Sequence, residues 1–264
     1  MILGIECTAH TLGISIVNKG KILSNVKDMY TTKSGGIIPS ESAKHHSSVS
    51  EKMYSSALKQ AGIKEDKIKA IALSNAPGLA PCLLVGMKFA KSLSSKLKIP
   101  IIPVNHCIAH LEIGQSVGAK DPVLLYASGA NTQIIAYASG KYRIFGETLD
   151  IGIGNLLDKF ARSVSLGFPG GPKIEKEAKS GKYIELPYTI KGMDVSFSGI
   201  QTKLLQLHKQ GHSLQNLSFS LQETAFAMLT EAAERALAHT KKKELVLGGG
   251  VACNKRLQEM CKIM

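Results

Sequence analysis

The sequence predicts an α/β protein built as two similar lobes. Three observations carry that prediction. The first is an internal echo: Ile2 to Leu23 alternates apolar runs with small polar turns, and Leu124 to Phe145 repeats the plan. Each reads as strand, turn with a threonine (Thr8, Thr132), strand, Gly-Lys (Gly20-Lys21, Gly140-Lys141), strand. The second is a later echo of strand, glycine-bearing turn and helix: Ile68 to Ser74, Asn75-Ala-Pro-Gly-Leu79 and Cys82 to Leu97, against Glu244 to Leu247, Gly248-Gly249-Gly250 and a helix from about Cys253. The third is size. At 264 residues the chain can fold as one large domain or two lobes, and a duplicated plan favours two, with a cleft between them. The boundary is placed at 118/119, giving lobes 1–118 and 119–264.

The connecting elements follow from caps and periodicity. Ser40 can cap a helix of about twenty residues through Ala61, with Gly62 ending it. Asp150 to Leu166 reads as an amphipathic helix, with Asp158 and Arg162 at i, i+4. Phe168-Pro-Gly-Gly-Pro172 reads as a turn before a helix from Lys173 to Ser180. A longer helix is expected from about Leu221 to His239, and Lys182 to Gln201 reads as loop.

Composition narrows the class. Hydrophobic residues make up 44% and charged residues 20%, as in an ordinary globular protein. No apolar run reaches the length of a membrane span, and the start has no basic n-region, so the chain reads as cytoplasmic, with no membrane role. The five cysteines (Cys7, Cys82, Cys107, Cys253, Cys261) contain no Cys-x-x-Cys pair, which argues against a disulfide framework or a zinc ribbon. The formal charge of +13 favours a polyanionic partner such as nucleic acid, against the plainer reading of a lysine-rich proteome. Arginine occurs only at 143, 162, 235 and 256, so the charge suits phosphate steering better than base readout. Lys241-Lys242-Lys243 reads as a solvated loop.

The segment Asn105-His-Cys-Ile-Ala-His-Leu-Glu-Ile-Gly114 carries the most chemistry. His106 and His110 share a helix face, so their imidazoles can form half of a metal site. Such pairs are more often surface or core residues than ligands, and other residues must supply the rest. The turns Ser128-Gly129-Ala130-Asn131-Thr132 and Gly248 to Asn254 are candidate phosphate cradles, with a following threonine as hydroxyl donor and a helix N-terminus adding its dipole. Plain structural readings stand beside each candidate. Asp158 could pair with Arg162, Glu175 could be a first-turn acid, Tyr126 could face the core, and His45-His46 could be a solvated helix face with no role.

Taken together, the motifs resemble the universal tRNA threonylcarbamoyladenosine synthase subunit, the TsaD/Kae/OSGEP family, in its archaeal-eukaryotic KEOPS branch. The resemblance rests on Ile5-Glu-Cys-Thr-Ala-His10, Gly35-Gly36-Ile37, His45-His46, Pro77-Gly78-Leu79, Asn105 to Glu112, Tyr126-Ala127-Ser128-Gly129, Gly146 to Asp150, Pro169 to Pro172, Phe197-Ser198-Gly199, Gln222 to Phe226 and Gly249 to Ala252. It implies an actin/sugar-kinase-like (ASKHA) fold with a duplicated ribonuclease-H-like lobe. It implies an acyltransferase, the catalytic subunit of a KEOPS-like complex, that moves threonylcarbamoyl from threonylcarbamoyl-AMP to N6 of the adenosine 3′ of the anticodon in ANN-decoding tRNAs. His106 and His110 are then the catalytic residues, and with Tyr126 they hold one divalent metal, Fe2+ foremost, with Zn2+ or Mg2+ as alternatives. Tyr126, Ala127, Ser128, Gly129, Ala130, Asp158, Gly171, Glu175 and Asn254 hold ATP or threonylcarbamoyl-AMP. The implied partners are tRNA, a small Bud-type protein kinase/ATPase and a small dimerising Pcc-type subunit.

The pattern also departs from the family. Cys7, Ala76 and Ala130 stand where its loops usually carry glycine, and a Cβ there is costly if φ is positive. Family members continue into a further strand and an Asp-Asn-Gly motif completing the metal site; the chain stops at Met264, so it is expected to be C-terminally incomplete, with exposed apolar surface and lowered stability. An alternative is therefore a non-catalytic KEOPS-like scaffold binding tRNA and partner subunits. A sugar kinase needs no imidazole metal site, and a zinc peptidase needs Glu where Cys107 stands.

Overall fold

A computed structural model describes residues 1–32 and 36–264; Gly35 of the Gly35-Gly36-Ile37 motif lies outside the described residues. The chain divides into two compact units, Met1–Ala109 and His110–Met264. The division falls earlier than the expected 118/119 boundary because residues after Ala109 engage the second unit. Gly114 packs against Val246 and the Tyr142 hydroxyl donates to Glu112.

The first unit carries a sheet of β1 (Ile2–Glu6), β2 (Thr11–Asn18), β3 (Lys21–Met29), β4 (Ala70–Ala76) and β5 (Ile101–Asn105), in the order β3-β2-β1-β4-β5. The first three strands form an antiparallel meander, and β4 joins β1 in parallel. Alternate residues Leu3, Ile5, Leu12, Ile14 and Ile16 are buried, as a sheet face against helices requires. Those helices are α1 (Pro39–Ala61), offering Met53, Tyr54 and Ala57, and α2 (Ala80–Leu97), offering Phe89, Ala90 and Leu93. Gly62 ends α1 in the left-handed conformation, as expected. The start differs: Pro39 occupies the first turn, Ile38 is the capping position, and Ser40 lies inside the helix. A short α3 (His106–Glu112) follows β5.

The second unit repeats the meander. Strands β6 (Val123–Ala127), β7 (Thr132–Ala138) and β8 (Lys141–Glu147) are antiparallel, and β11 (Leu245–Gly248) joins β6 in parallel, giving β11-β6-β7-β8. The echo extends to the turns. Lys19-Gly20 and Ser139-Gly140 both have two consecutive positive φ angles, 48°/78° and 51°/75°, the primed hairpin geometry that matches strand twist. A register shift interrupts the β2–β3 and β7–β8 ladders alike.

One face of this sheet packs Val123, Leu125, Ile134 and Ala136 against α4 (Ile153–Ser163), α5 (Gly170–Ala178), α6 (Ser198–Lys209) and α7 (Leu214–Thr240), with Phe160, Phe197 and Phe226 fully buried. A two-residue hairpin, β9 (Ile190–Lys191) and β10 (Asp194–Val195), precedes α6; α8 (Lys255–Ile263) closes the chain. Several bounds correct the expectations. Helix α4 is shorter than 150–166, because Asp150 turns to accept N–H groups from Ile151, Phe197 and Ser198. Helix α5 starts at Gly170 and takes in the supposed turn, because the Asp158 carboxylate accepts the Gly170 N–H at 2.7 Å. Helix α7 starts at Leu214, capped by Ser213, and α6 begins within the stretch read as loop.

Candidate active site

In the first unit, Glu6 ends β1, and its carboxylate accepts the backbone N–H of Thr8 at 3.0 Å and the Thr8 hydroxyl. His106 opens α3 with Nδ1 4.0 Å from Glu6 Oε1, and its side chain is 14% exposed. Burial lowers its pKa and favours the neutral imidazole, the form that ligates metals. Asn105 caps the helix, accepting the N–H groups of Cys107 and Ile108 at 2.9 and 3.1 Å. The Cys107 thiol is buried and pushed up to about 11 by desolvation, so it is inert at neutral pH. Cys7 behaves alike: burial first, then the neighbouring Cys82 and Glu6, raise it to about 12.

In the second unit, Tyr126 lies near the end of β6 with its ring centroid 4.7 Å from that of His110. Gly248 makes room for this pair: a Cβ there would stand 3.4 Å from His110 Nδ1 and 3.0 Å from Leu124. The His110 imidazole and the Tyr126 phenol are donor types that a borderline divalent metal accepts. Among the described residues no three His, Cys, Asp or Glu side chains gather as a metal site.

Beyond Tyr126 the chain enters Ala127 and the turn Ser128 to Asn131. The Ser128 N–H and hydroxyl both donate to the Asn131 carbonyl, at 3.0 and 2.9 Å. The carbonyls of Ser128 and Gly129 accept the N–H groups of Gly154 and Asn155 at the start of α4. Thr132, expected as a hydroxyl donor to an anion, is buried and its Oγ1 accepts the Ile153 N–H at 2.8 Å. Gly129 and Ala130 are exposed, and a Cβ at Gly129 would meet nothing within 4 Å.

The second turn is locked to the first. Gly249 has φ 90° and ψ 168°, and a Cβ there would lie 2.7 Å from the Ala127 carbonyl carbon and 3.0 Å from Ser128 N. Only glycine permits that approach. Asn254 then caps α8, accepting from the N–H groups of Arg256 and Leu257 and donating to Gln222 Oε1 at 2.7 Å. Glu175 accepts the Lys255 N–H at 2.9 Å; it is not in the first turn of α5. Arg256 is clamped by both oxygens of Glu223, at 2.6 and 2.7 Å. Asp158 holds the start of α5; burial raises its pKa, opposed by the Gly170 N–H and the Arg162 charge. Gly171 is the second residue of α5, and a Cβ there would make only ordinary contact with Leu157.

The expected residues of the second unit are thus gathered at the starts of α4, α5 and α8 and the two glycine turns. The sequence left Glu6, Gln222 and Glu223 without roles. Their signal was chemical: a carboxylate closing an apolar strand, and an amide and an acid just ahead of the apolar run Ala225 to Leu229. Cys7, Ala76 and Ala130 all have negative φ, so the feared strain is absent. His46, expected on a solvated face, is fully buried, with Nε2 2.8 Å from the Ala9 carbonyl; His45 meets Asp28 at 2.8 Å. Among the described residues no helix is long and apolar enough to cross a membrane.

Comparison with known proteins agrees with this architecture. Among solved structures the chain is similar to HypF of T. kodakarensis (TM-score 0.69, 13% identity, 99% of this chain and 43% of that one). It is also similar to component A of the (R)-2-hydroxyglutaryl-CoA dehydratase of Acidaminococcus fermentans (TM-score 0.65, 14% identity, 99% and 87%). These similarities establish the actin/sugar-kinase-like fold. Residues 21–264 match the family model TsaD, tRNA N6-adenosine threonylcarbamoyltransferase. A protein of that name from Thermococcus sibiricus is 56% identical over 99% of this chain and 82% of its own length. Another from Thermofilum pendens is 51% identical, over 100% and 80%. A probable bifunctional tRNA threonylcarbamoyladenosine biosynthesis protein from Thermoplasma volcanium is 51% identical over all of this chain and 50% of its own. On this agreement of model, relatives and fold, the chain belongs to the tRNA N6-adenosine threonylcarbamoyltransferase family and is an enzyme of the transferase class.

Proposed function

We propose that the protein modifies tRNA by transferring threonylcarbamoyl from threonylcarbamoyl-AMP to N6 of the adenosine 3′ of the anticodon in ANN-decoding tRNAs. It does so as the catalytic subunit of a KEOPS-like complex with Bud-type and Pcc-type partners, in the cytoplasm. The observation that carries the reading is the Tyr126–His110 pair at the root of the Ala127–Ala130 turn, which Gly249 fastens to the Gly248–Asn254 turn. The pair proposed for the metal and the turns proposed for the nucleotide therefore adjoin in one unit.

The side chains suggest how the adenylate is shared out. Asp158, Glu175 and Asn254 already accept N–H groups from the starts of α5 and α8. The remaining lone pairs of Asp158 and Glu175 suit ribose hydroxyls, which donate, better than a phosphate, which repels carboxylates, while the second amide hydrogen of Asn254 is left to donate to a ligand oxygen. The phosphate end then belongs to the exposed backbone of Gly129, Ala130 and Gly250, with Gly171 contributing backbone beside the sugar. His106, His110 and Tyr126 hold a divalent cation, Fe2+ by preference, which when bound supplies Lewis-acid charge to the carbamoyl–phosphate junction. The attacking amine of adenine is weakly basic, so holding it in line with the carbamoyl carbon supplies much of the rate. Both cysteines nearest the first-unit residues, Cys7 and Cys107, stay protonated, and no covalent protein intermediate is required.

The test is reconstitution of the chain with partner subunits, threonylcarbamoyl-AMP and an ANN-decoding tRNA, scored for modified adenosine. Product that disappears in Asp158→Asn and Glu175→Gln supports the reading; absence of product from a stable complex overturns it. For the metal, His106→Ala with His110→Ala should abolish bound metal by elemental analysis, and unchanged content would refute the assignment.

A further inference from the structure

The two helices that follow the glycine turn at 128–131 carry an outward row of cations. Helix α4 begins against that turn: the Asn155 N–H donates to the Gly129 carbonyl at 2.8 Å. Lys159 and Arg162 stand about 6 and about 10 Å further along its axis than Asn155, and both are exposed. Lys159 lies two residues past the buried Leu157, a rotation of about 200°, so it projects opposite the core.

Helix α5 extends the row. Its start packs on the part of α4 that carries Lys159 and Arg162, since a Cβ on Gly170 would lie 2.7 Å from the Ala161 Cβ and 2.9 Å from the Asp158 Cα. Lys176 lies two residues past the buried Ile174, again opposite the core, and Lys179 is its neighbour three residues on. Both are exposed, as is Lys182 just beyond the helix. Lys173 is engaged differently, its Nζ donating to the Leu166 carbonyl.

The acids of the same two helices are occupied elsewhere. Asp158, near enough to feel the Arg162 charge, accepts the Gly170 N–H. Glu175 accepts the Lys255 N–H, and Glu177 accepts from the Gln215 amide at 2.9 Å. Among the described residues no ion pair engages Lys159, Arg162, Lys176, Lys179 or Lys182. Elsewhere Lys44, Lys96, Lys242, Arg235 and Arg256 each meet a carboxylate. A row of like charges without counter-charges of its own attracts a polyanion.

We infer that the outer sides of α4 and α5 form a phosphate track for the tRNA, running from the Gly129 turn through Lys159 and Arg162 to Lys176, Lys179 and Lys182. The inference rests on the tRNA reading above and adds to it where the RNA backbone lies. A base modified at the turn brings its flanking phosphates beside it, and α4 leaves the turn with cations on its outer side. All but Arg162 are lysines, point charges that suit phosphate rather than base edges, so the track positions the RNA without reading its sequence. An acidic protein is the poorer occupant, since the reaction itself already brings a polyanion to this turn.

The experiment measures binding of a fluorescent ANN-decoding tRNA transcript against salt concentration. Lys159→Gln, Arg162→Gln, Lys176→Gln and Lys179→Gln, combined in one chain, should weaken binding at about 0.1 M salt by at least about tenfold. The same variant should flatten the log–log salt dependence by roughly 3, the share of four phosphates. A control removes the same charge from α1 and α2, where Lys52, Lys59, Lys88 and Lys91 are also exposed; its four Gln substitutions should leave affinity and slope near wild type. ATP binding should be unchanged in both variants. If the first variant melts early, acetylation of the wild type by an N-hydroxysuccinimide ester decides: bound tRNA should protect Lys159, Lys176 and Lys179 and leave Lys88 and Lys91 reactive. An equal loss in the control, ATP binding that falls along with tRNA binding, or track lysines that stay reactive under bound tRNA would each overturn the track. So would protection of those lysines by a protein partner and not by tRNA. A wild-type chain that binds no tRNA would instead take down the functional reading itself, and the track with it.

Discussion

Two neighbouring glycines should respond oppositely to the same added methyl group. Gly249 sits at φ 90° and ψ 168°, a region that only glycine occupies readily. An alanine there costs about 1–3 kcal/mol in backbone strain. Its Cβ would also press on the Ala127 carbonyl carbon at 2.7 Å and Ser128 N at 3.0 Å. Those are backbone atoms at the end of a strand whose five residues are all buried, so they cannot swing aside as a side-chain tip can. Overpacking of this kind adds about 1–3 kcal/mol. Gly249→Ala should therefore lose about 3–5 kcal/mol, a large part of a typical domain's stability. At Gly250 a Cβ meets nothing within 4 Å and φ is not positive, so Gly250→Ala should stay within about 0.5 kcal/mol of wild type. Urea unfolding followed by far-ultraviolet dichroism reads both. With a slope near 2 kcal/mol/M, Gly249→Ala lowers the midpoint of the second unit's transition by roughly 1.5 M or more. A Gly249→Ala midpoint equal to wild type, or an equal loss at Gly250, would refute the claim that this approach locks the two turns.

Three further substitutions probe other parts of the fold. Burial alone would raise the Asp150 pKa, but the Phe197 N–H, the Ser198 hydroxyl and N–H and the Ile151 N–H outweigh it and bring it to about 2. A folded pKa below the unfolded one means stability that is full above about pH 4 and lost as pH falls toward 2; Asp150→Asn should flatten that acid limb and cost about 1 kcal/mol at neutral pH, discounted because the residue is exposed. His46 is lowered first by burial, then by the charges of His45 and His10, against the Ala9 carbonyl and Glu6. The unfolded chain then binds the proton more readily, so stability falls as pH drops below about 6.5, and His46→Leu should remove that slope between pH 7 and 5 in thermal melts. Asn254→Ala strips α8 of its cap and leaves Gln222 Oε1 buried without its donor; urea titration should show a loss of about 2–4 kcal/mol, with Asn254→Ser recovering part of it.

The duplicated meander was legible because its signals are local. Apolar runs bounded by small polar turns mark β1, β2, β6 and β7, and Gly20 and Gly140 supply positive φ at equivalent hairpin turns. Helix starts were less legible where a distant side chain sets them. Asp158, on the preceding helix, captures the Gly170 N–H and turns Gly-Gly-Pro from loop into first helical turn. The polar stretch before Leu221 is covered by another distant contact, the Ser220 hydroxyl accepting the Ile184 N–H. Neither partner is a sequence neighbour. His46 looked solvated beside His45, yet a helix face turns by about 100° per residue, and that step carries it from the Asp28 side into the core.

The same long-range bonds constrain how the proposed site can be dissected. Asp158, Glu175 and Asn254 are at once the residues proposed for the adenylate and the acceptors that fix the starts of α5 and α8. An alanine at any of them would lower ligand binding through the helix start alone, so lost activity would say nothing about contact. The neutral isosteres separate the effects. Asp158→Asn and Glu175→Gln keep an acceptor oxygen for the Gly170 and Lys255 N–H groups but remove the charge. If the acids face ribose hydroxyls, these variants weaken nucleotide binding with little change in melting. If they only brace the helices, binding and melting move together in proportion. Binding that improves with the charge removed would put phosphate, not ribose, beside the carboxylates, and would reverse the orientation of the adenylate between the two turns.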